Sequence, residues 1–402
     1  MNSSIQLSVD KKPIDVSIQL PASKSISNRA LILNALAYGE PNIENLSDCD
    51  DTRVMVKALD SNDNTFDIGA AGTAMRFLTA FLSKQVGEWE ITGSERMQQR
   101  PIGLLVDALN SLGARIEYIK REGYPPLKIY GSALMGGEIR LNGGVSSQYI
   151  SALMMIAPYM HNGLKIILEG KVISVPYIQM TRRMMQEFGV TANFNGNVID
   201  IRPQSYHPIP YRVESDWSAA SYWYEILAIA GSGKVYLKGL RENSFQGDSR
   251  VAGLFSELGV TTQYEAGGVL LTPNSNRPRF FEYDFVDQPD LAQTFAVCCC
   301  MKNIPFLFSG LQSLKIKETD RIAALINELG KLGYVLEEPT EGMLGWKGHR
   351  DKTQEHVIID TYEDHRMAMS FAPAALLQPL TIKNPEVVTK SYPDFWNDFA
   401  RI

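Results

Sequence analysis

The chain has 402 residues, 45% of them apolar and 21% charged, with 39 basic against 45 acidic side chains and a net charge of −6. That length exceeds what one ordinary hydrophobic core serves and points to two domains, while the composition is that of folded soluble proteins. No global positive charge recruits nucleic acid or an anionic membrane, so an anion site has to be built locally.

The first sixteen residues carry Asp10, Lys11, Lys12 and Asp15 and contain no apolar h-region, so a cytoplasmic protein is expected. The most apolar stretches, 150–160 and 371–377, are shorter than roughly 18 residues and contain Pro158 or Pro373, which argues against a membrane span. Cys298, Cys299 and Cys300 are adjacent inside an apolar run and are read as core packing, neither a disulfide framework nor a zinc site.

In chain order, a strand is expected at 5–9, then an apolar helix behind Ser23. A helix follows at 50–59, and a loop at 60–67 stands in for much of a strand pair. From there the pattern repeats. Polar or glycine helix starts at Gly72, Ser146, Asp216, Asp290 and Asp364 are spaced by 74, 70, 74 and 74 residues, each followed by an apolar helix. Between them lies a second helix type, closed by Gly113, Gly189, Gly259 and Gly333 at spacings of 76, 70 and 74, each leading into an alternating strand. A last helix is expected at 392–400, which with the strand at 5–9 divides a sixth repeat between the two ends. The fold class is therefore α/β, six βαβαββ-type repeats in two domains of three. One domain comprises 1–20 with 215–402 and the other is the inserted 21–214. Two chain crossings make a hinge, and ligands often bind where closure excludes water. A plain repeat scaffold with no catalysis is the competing reading.

The charges at the helix starts favour a ligand. Lys24, Arg29, Arg76 and Arg366 belong to the runs that open these helices, where unsatisfied amides and the helix dipole favour anions and repel cations. A compensating anion explains them better than structure does. For Asp216, helix capping alone is the favoured reading. Further cations cluster at Arg96 and Arg100, at Lys315, Lys317 and Arg321, and at Lys390. Together they exceed what one phosphate needs, and they combine the bidentate fork of Arg with the compact charge of Lys. Phosphate-loop and dinucleotide motifs are absent, and no spacing suggests a catalytic metal. The chemistry is expected to need no cofactor and no metal.

The motifs, in order and over nearly the whole chain, resemble those of the EPSP synthase family. They are the runs 21–29 and 71–76, Arg96 to Pro101, Ser146-Ser147-Gln148, 173–177, Pro289-Asp290, 317–321, 364–369 and Lys390. The resemblance implies a two-domain inverted α/β barrel with helix N-termini directed at an interdomain cleft. It also implies the reaction, transfer of the enolpyruvyl group of phosphoenolpyruvate (PEP) to the 5-hydroxyl of shikimate 3-phosphate. Carried over by motif, the acceptor is held by Lys24, Ser25, Arg29, Ser146, Ser147, Gln148, Ser174, Tyr177, Asp290, Ser313 and Lys317. PEP is surrounded by Lys24, Gly72, Arg100, Gln148, Arg321, Arg366 and Lys390. The resemblance further implies small-molecule partners only and a monomer.

The reaction needs a proton at the PEP methylene carbon while the hydroxyl attacks its neighbour, hence an acid and a base in one dry site. Asp290 is assigned as the base and Glu318 as the group exchanging a proton with the methylene, helped by Lys24 and His365. Two positions depart from the family pattern, Ala70 and Ser313, where the family commonly carries Asn or a similar amide. Both bear on affinity rather than on the reaction. The nearest rival, a UDP-N-acetylglucosamine enolpyruvyl transferase, usually has Lys-Asn in place of Lys24-Ser25 and a reactive cysteine in the segment 94–100. This chain has no cysteine between Cys49 and Cys298.

Overall fold

Residues 3–10, 13–38 and 42–402 are described by the computed structural model. The chain divides into two units, Ala22–Val213 and a second that joins the segment ending at Pro21 to Glu214–Ile402.

One four-stranded sheet recurs in both. In the inserted unit, Thr65–Asp67 runs parallel to Gly87–Thr92, which pairs antiparallel with Leu127–Gly131, which pairs antiparallel with Arg115–Tyr118. Gly137–Asn142, Leu164–Glu169, Val198–Ile201 and Ala192–Asn195 repeat that order. In the other unit it is followed by Ile14–Gln19, Gly233–Lys238, Gly268–Pro273 and Val260–Glu265, and again by Phe281–Asp284, Phe306–Ser309, Leu344–Arg350 and Tyr334–Glu337. A last sheet there is completed by the beginning of the chain. Ile358–Ile359 lies parallel to Leu380–Lys383, which pairs antiparallel with Ser4–Leu7. In the inserted unit the corresponding piece is a two-stranded parallel ladder of Ile43–Glu44 and Tyr211–Arg212.

Each parallel pair of the four-stranded sheets needs a crossover, and an apolar helix lies in every one of them. Gly72–Lys84, Ser147–Ile156, Trp217–Ala230 and Ala292–Met301 are buried on nearly every side, which is why they carry no clear polar face. All three adjacent cysteines lie in Ala292–Met301, fully buried among Phe295, Val297 and Leu325 of the core. The second helix type comprises Gly103–Ser111, Val175–Glu187, Val251–Glu257 and Arg321–Lys331. Gly113, Gly189, Gly259 and Gly333 follow them at φ of 103°, 89°, 101° and 83°, the left-handed conformation that a Cβ would oppose. Among the described residues no helix is long and apolar enough to cross a membrane.

Four local expectations change. Residues 65–67 form a short edge strand where a loop is expected, because only Phe66 turns inward and the segment carries no alternating pattern of its own. The helix expected behind Asp364 is His365–Phe371, after which Pro373 removes an amide and the chain tightens into a 3-10 turn, Ala372–Leu376. The final helix is Phe395–Phe399, because Tyr392 N donates back to Val388 O in the preceding turn. Asp290 lies inside a 3-10 turn, Pro289–Leu291, that leads into Ala292–Met301, so it does not cap that helix and its carboxylate turns elsewhere.

Candidate active site

Within the inserted unit, three helix starts carry the expected residues. Ser23 caps Lys24–Leu36 by accepting from Ile26 N, and Lys24, the first residue inside, reaches Asp51 at 3.4 Å. Asp51 is buried, at the head of Asp50–Asp60, and offsets a cation that the dipole of its own helix opposes. Arg29 is buried, and three donors are used internally. Nε donates to Thr181 Oγ1 at 2.7 Å, Nη2 to Ser151 Oγ at 3.1 Å and Nη1 to Ser25 O at 3.0 Å. Burial, opposed by Tyr177, lowers its pKa to about 10. This guanidinium therefore ties the helix that carries Ser25 to Ser147–Ile156 and Val175–Glu187. Ser174 precedes the last of these in the left-handed region, at φ 54°, and is buried.

A second group gathers at Gly72. A Cβ on that residue would stand 2.8 Å from Arg100 Nη1 and 3.0 Å from Arg76 Nη1, so glycine leaves room for two guanidiniums to converge. Arg76 donates to Gly72 O at 3.0 Å and Pro101 O at 3.2 Å. Gln148, whose amide donates to the Ser146 cap at 3.3 Å, extends its side chain to Thr73 Oγ1 at 3.2 Å. Gly72, Arg100, Ser146 and Gln148 are thereby brought into one neighbourhood, with Thr73 as a member that sequence reasoning missed. Its short hydroxyl carried no signal.

In the other unit, three carboxylates and four cations form a single network. Asp290 accepts from Arg321 Nη1 at 2.9 Å and Arg366 Nη2 at 3.0 Å, and Lys317 Nζ lies 3.6 Å away. Glu318 accepts from Lys390 Nζ at 2.7 Å and from Arg321 Nη2 at 3.1 Å. Asp364 caps the helix of His365 and Arg366 and accepts from Arg321 Nε at 2.7 Å. Burial opposes ionisation of Asp290, but Arg366, then Lys317 and Arg321, outweigh it and hold the carboxyl well below the ordinary range. Arg321, although buried, stays firmly protonated because Asp364, Glu318 and Asp290 surround it. His365 is buried, with Nδ1 3.7 Å from Asp364 Oδ1. Ser313 lies half-buried in the 3-10 turn Gln312–Ile316 and takes no part in the hydrogen bonds just described. Asp216 does cap its helix, accepting from Ala219 N at 2.9 Å.

Asp248 was not foreseen. It is buried in the turn Gly247–Arg250, accepts from the Ser218 hydroxyl, and is pushed up to about 7 by burial and then by the charge of Asp290. Nothing in its local sequence distinguishes it from a surface aspartate.

The family model for EPSP synthase (3-phosphoshikimate 1-carboxyvinyltransferase) matches residues 9–61 and 59–399. A 3-phosphoshikimate 1-carboxyvinyltransferase of Bacteroides fragilis is 56% identical over 390 residues, covering 96% of this chain and 95% of the relative. Another, of Vibrio vulnificus, is 37% identical with 97% of each chain covered. The solved structure of EPSP synthase from Acinetobacter baumannii has a TM-score of 0.79 at 20% identity, over 100% of this chain and 98% of that one, a likeness of fold. These matches favour the phosphoshikimate reading over the UDP-N-acetylglucosamine rival and over a non-catalytic scaffold. The chain belongs to the EPSP synthase family, the 3-phosphoshikimate 1-carboxyvinyltransferases.

Proposed function

We propose that the chain performs enolpyruvyl transfer from PEP to the 5-hydroxyl of shikimate 3-phosphate through two sets of residues acting on one substrate pair. The observation that carries the assignment of roles is the Asp290 carboxylate held by Arg321 and Arg366 and approached by Lys317, next to Glu318 on Lys390. Four cations here face the three carboxylates Asp290, Glu318 and Asp364. An incoming phosphate and carboxylate compete for those cations. Each cation drawn to substrate leaves Asp290 a stronger base, which is what deprotonating a hydroxyl requires.

In this reading Asp290 takes the 5-hydroxyl proton as the oxygen bonds to the substituted carbon of PEP, and the methylene carbon gains a proton through Glu318. Loss of a proton from the resulting methyl group to Glu318 then restores the double bond as phosphate leaves, and the phosphate carries off the proton that Asp290 had accepted. Arg100, Arg321, Arg366 and Lys390, with Lys24, Gly72 and Gln148, bind PEP and stabilise the leaving phosphate. Ser25, Arg29, Ser146, Ser147, Gln148, Ser174, Tyr177, Ser313 and Lys317 serve the acceptor. Arg29 does so by holding Ser25 in place, as its internal bonds support.

The test is phosphate release from PEP, followed without added metal or nucleotide. Release is expected only when shikimate 3-phosphate is present. Equal turnover with UDP-N-acetylglucosamine, or none with either acceptor, overturns the reading.

A further inference from the structure

Immediately ahead of Asp364 the backbone adopts a turn that its residues disfavour. Asp364 N donates to Thr361 O at 2.8 Å, and the two central residues, Tyr362 and Glu363, stand at φ 53° and 56°. Turns with both central residues left-handed are dominated by Gly, Asn and Asp, because other side chains crowd the carbonyl there. Tyrosine followed by glutamate is a strained choice, and such strain persists only where the surroundings over-determine it.

The helix Arg321–Lys331 supplies that constraint from one face. Residues 321 and 328 are two turns apart, so their side chains leave on the same side. Arg321 grips the end of the turn through Asp364 at 2.7 Å. Glu328, fully buried, grips its beginning and middle, accepting from Asp360 N at 3.0 Å and from the Tyr362 hydroxyl at 2.6 Å. Lys331 closes the arrangement, donating to Glu328 at 2.6 Å and to Asp360 at 2.8 Å. Burial and then Glu328 push the Tyr362 phenol up to about 12, so it remains a donor around neutral pH.

We propose that Glu328 and Tyr362 are positioning residues for the transfer reaction: they pin the strained turn 361–364 to the helix, and Asp364, so fixed, aims the Arg321 guanidinium at Asp290 and Glu318. This rests on the roles proposed above for Arg321, Asp290 and Glu318. Glu328 belongs to the core by burial, yet a core position alone asks for an apolar side chain. The turn explains the carboxylate.

The experiment compares Tyr362→Phe, Glu328→Gln, Glu363→Gly and the double variant Tyr362→Phe/Glu363→Gly. Glu363 is exposed, and glycine there removes strain without touching the network. For Tyr362→Phe, kcat/KM for PEP is expected to fall about tenfold or more while the Kd for shikimate 3-phosphate stays within about twofold. Glu363→Gly alone keeps wild-type activity, and in the double variant it restores most of the loss. Unchanged kcat/KM in Tyr362→Phe, or a loss that glycine does not restore, overturns the proposal. Should Glu328→Gln fail to fold, Tyr362→Phe carries the test. A wild-type enzyme without turnover refutes the proposed reaction instead. The positioning claim is then read by NMR, as faster solvent exchange of the Arg321 Nε proton in Tyr362→Phe, and an unchanged rate overturns it.

Discussion

Arg321 Nη1 donates to Asp290 Oδ1 at 2.9 Å, and the same guanidinium also binds Glu318 and Asp364. One buried cation thus touches the assigned base, the assigned proton carrier and the cap of the helix that presents Arg366. On the proposed roles, substrate anions that take a share of Arg321 alter Asp290 and Glu318 together, which couples substrate binding to the basicity of both.

Asp290→Asn removes the proposed base while keeping shape and leaves Arg321, Arg366 and Lys317 with one anion fewer. Turnover is expected to fall by about 10²- to 10⁴-fold. The Kd for shikimate 3-phosphate stays within a few-fold, and PEP binds more tightly because a competitor for its cations is gone. Steady-state kinetics with calorimetric titration of each substrate separates these effects. Unchanged kcat removes Asp290 from the role of base. The carboxyl is depressed in the folded state, so the stability it contributes is complete above its unfolded value of about 3.9 and is lost only as pH falls through the lower folded value. Asp290→Asn should therefore alter the pH dependence of stability above about pH 5 only through Asp248, which loses a charge that raises its carboxyl and with it part of its share of the decline there.

Glu225 has the opposite sign. It is fully buried in Trp217–Ala230, both carboxyl oxygens have no hydrogen-bond partner among the described residues, and burial raises its carboxyl well above the ordinary range. The folded state keeps a proton that the unfolded state releases above about 4.3, so stability declines as pH rises from there toward the folded value. Asp248, raised to about 7, adds to the same decline up to that pH. Glu225→Gln abolishes its share. In urea unfolding the variant is expected to gain on the order of 1 kcal/mol or more over wild type between pH 4.5 and pH 8. A parallel pH profile for the two proteins contradicts this.

All four cysteines are buried, and burial raises each thiol. For Cys49 the charge of Lys24 opposes that rise without cancelling it. Disulfide-exchange reagents are expected to label none of them in the native protein and all four after denaturation, with activity retained throughout the native incubation. Rapid labelling of one thiol with loss of turnover indicates a cysteine-dependent enolpyruvyl transfer instead.

Much of the architecture was legible without coordinates because its signals are local. Left-handed glycines after helices and polar helix starts act within a turn or two of the chain, and their recurrence near every seventieth residue exposed the repeats. The same locality made the cations of 24–29, 96–100, 317–321 and 364–366 stand out. Where the local signal was thin the reading failed, as at 65–67, where one inward side chain makes a strand only because Gly87–Thr92 lies beside it.

The sequence by itself thus determined which residue types stand at which helix ends, and that the last repeat borrows the start of the chain. Only the tertiary structure decided what those residues touch. Asp290 is ionised by Arg366, 76 residues further on, Glu318 is paired with Lys390 across 72, and Arg29 is bound by Thr181 across 152. Charge interactions and desolvation depend on distance and burial in space, so a protonation state or an ion pair made across such separations is not written in any local stretch of residues.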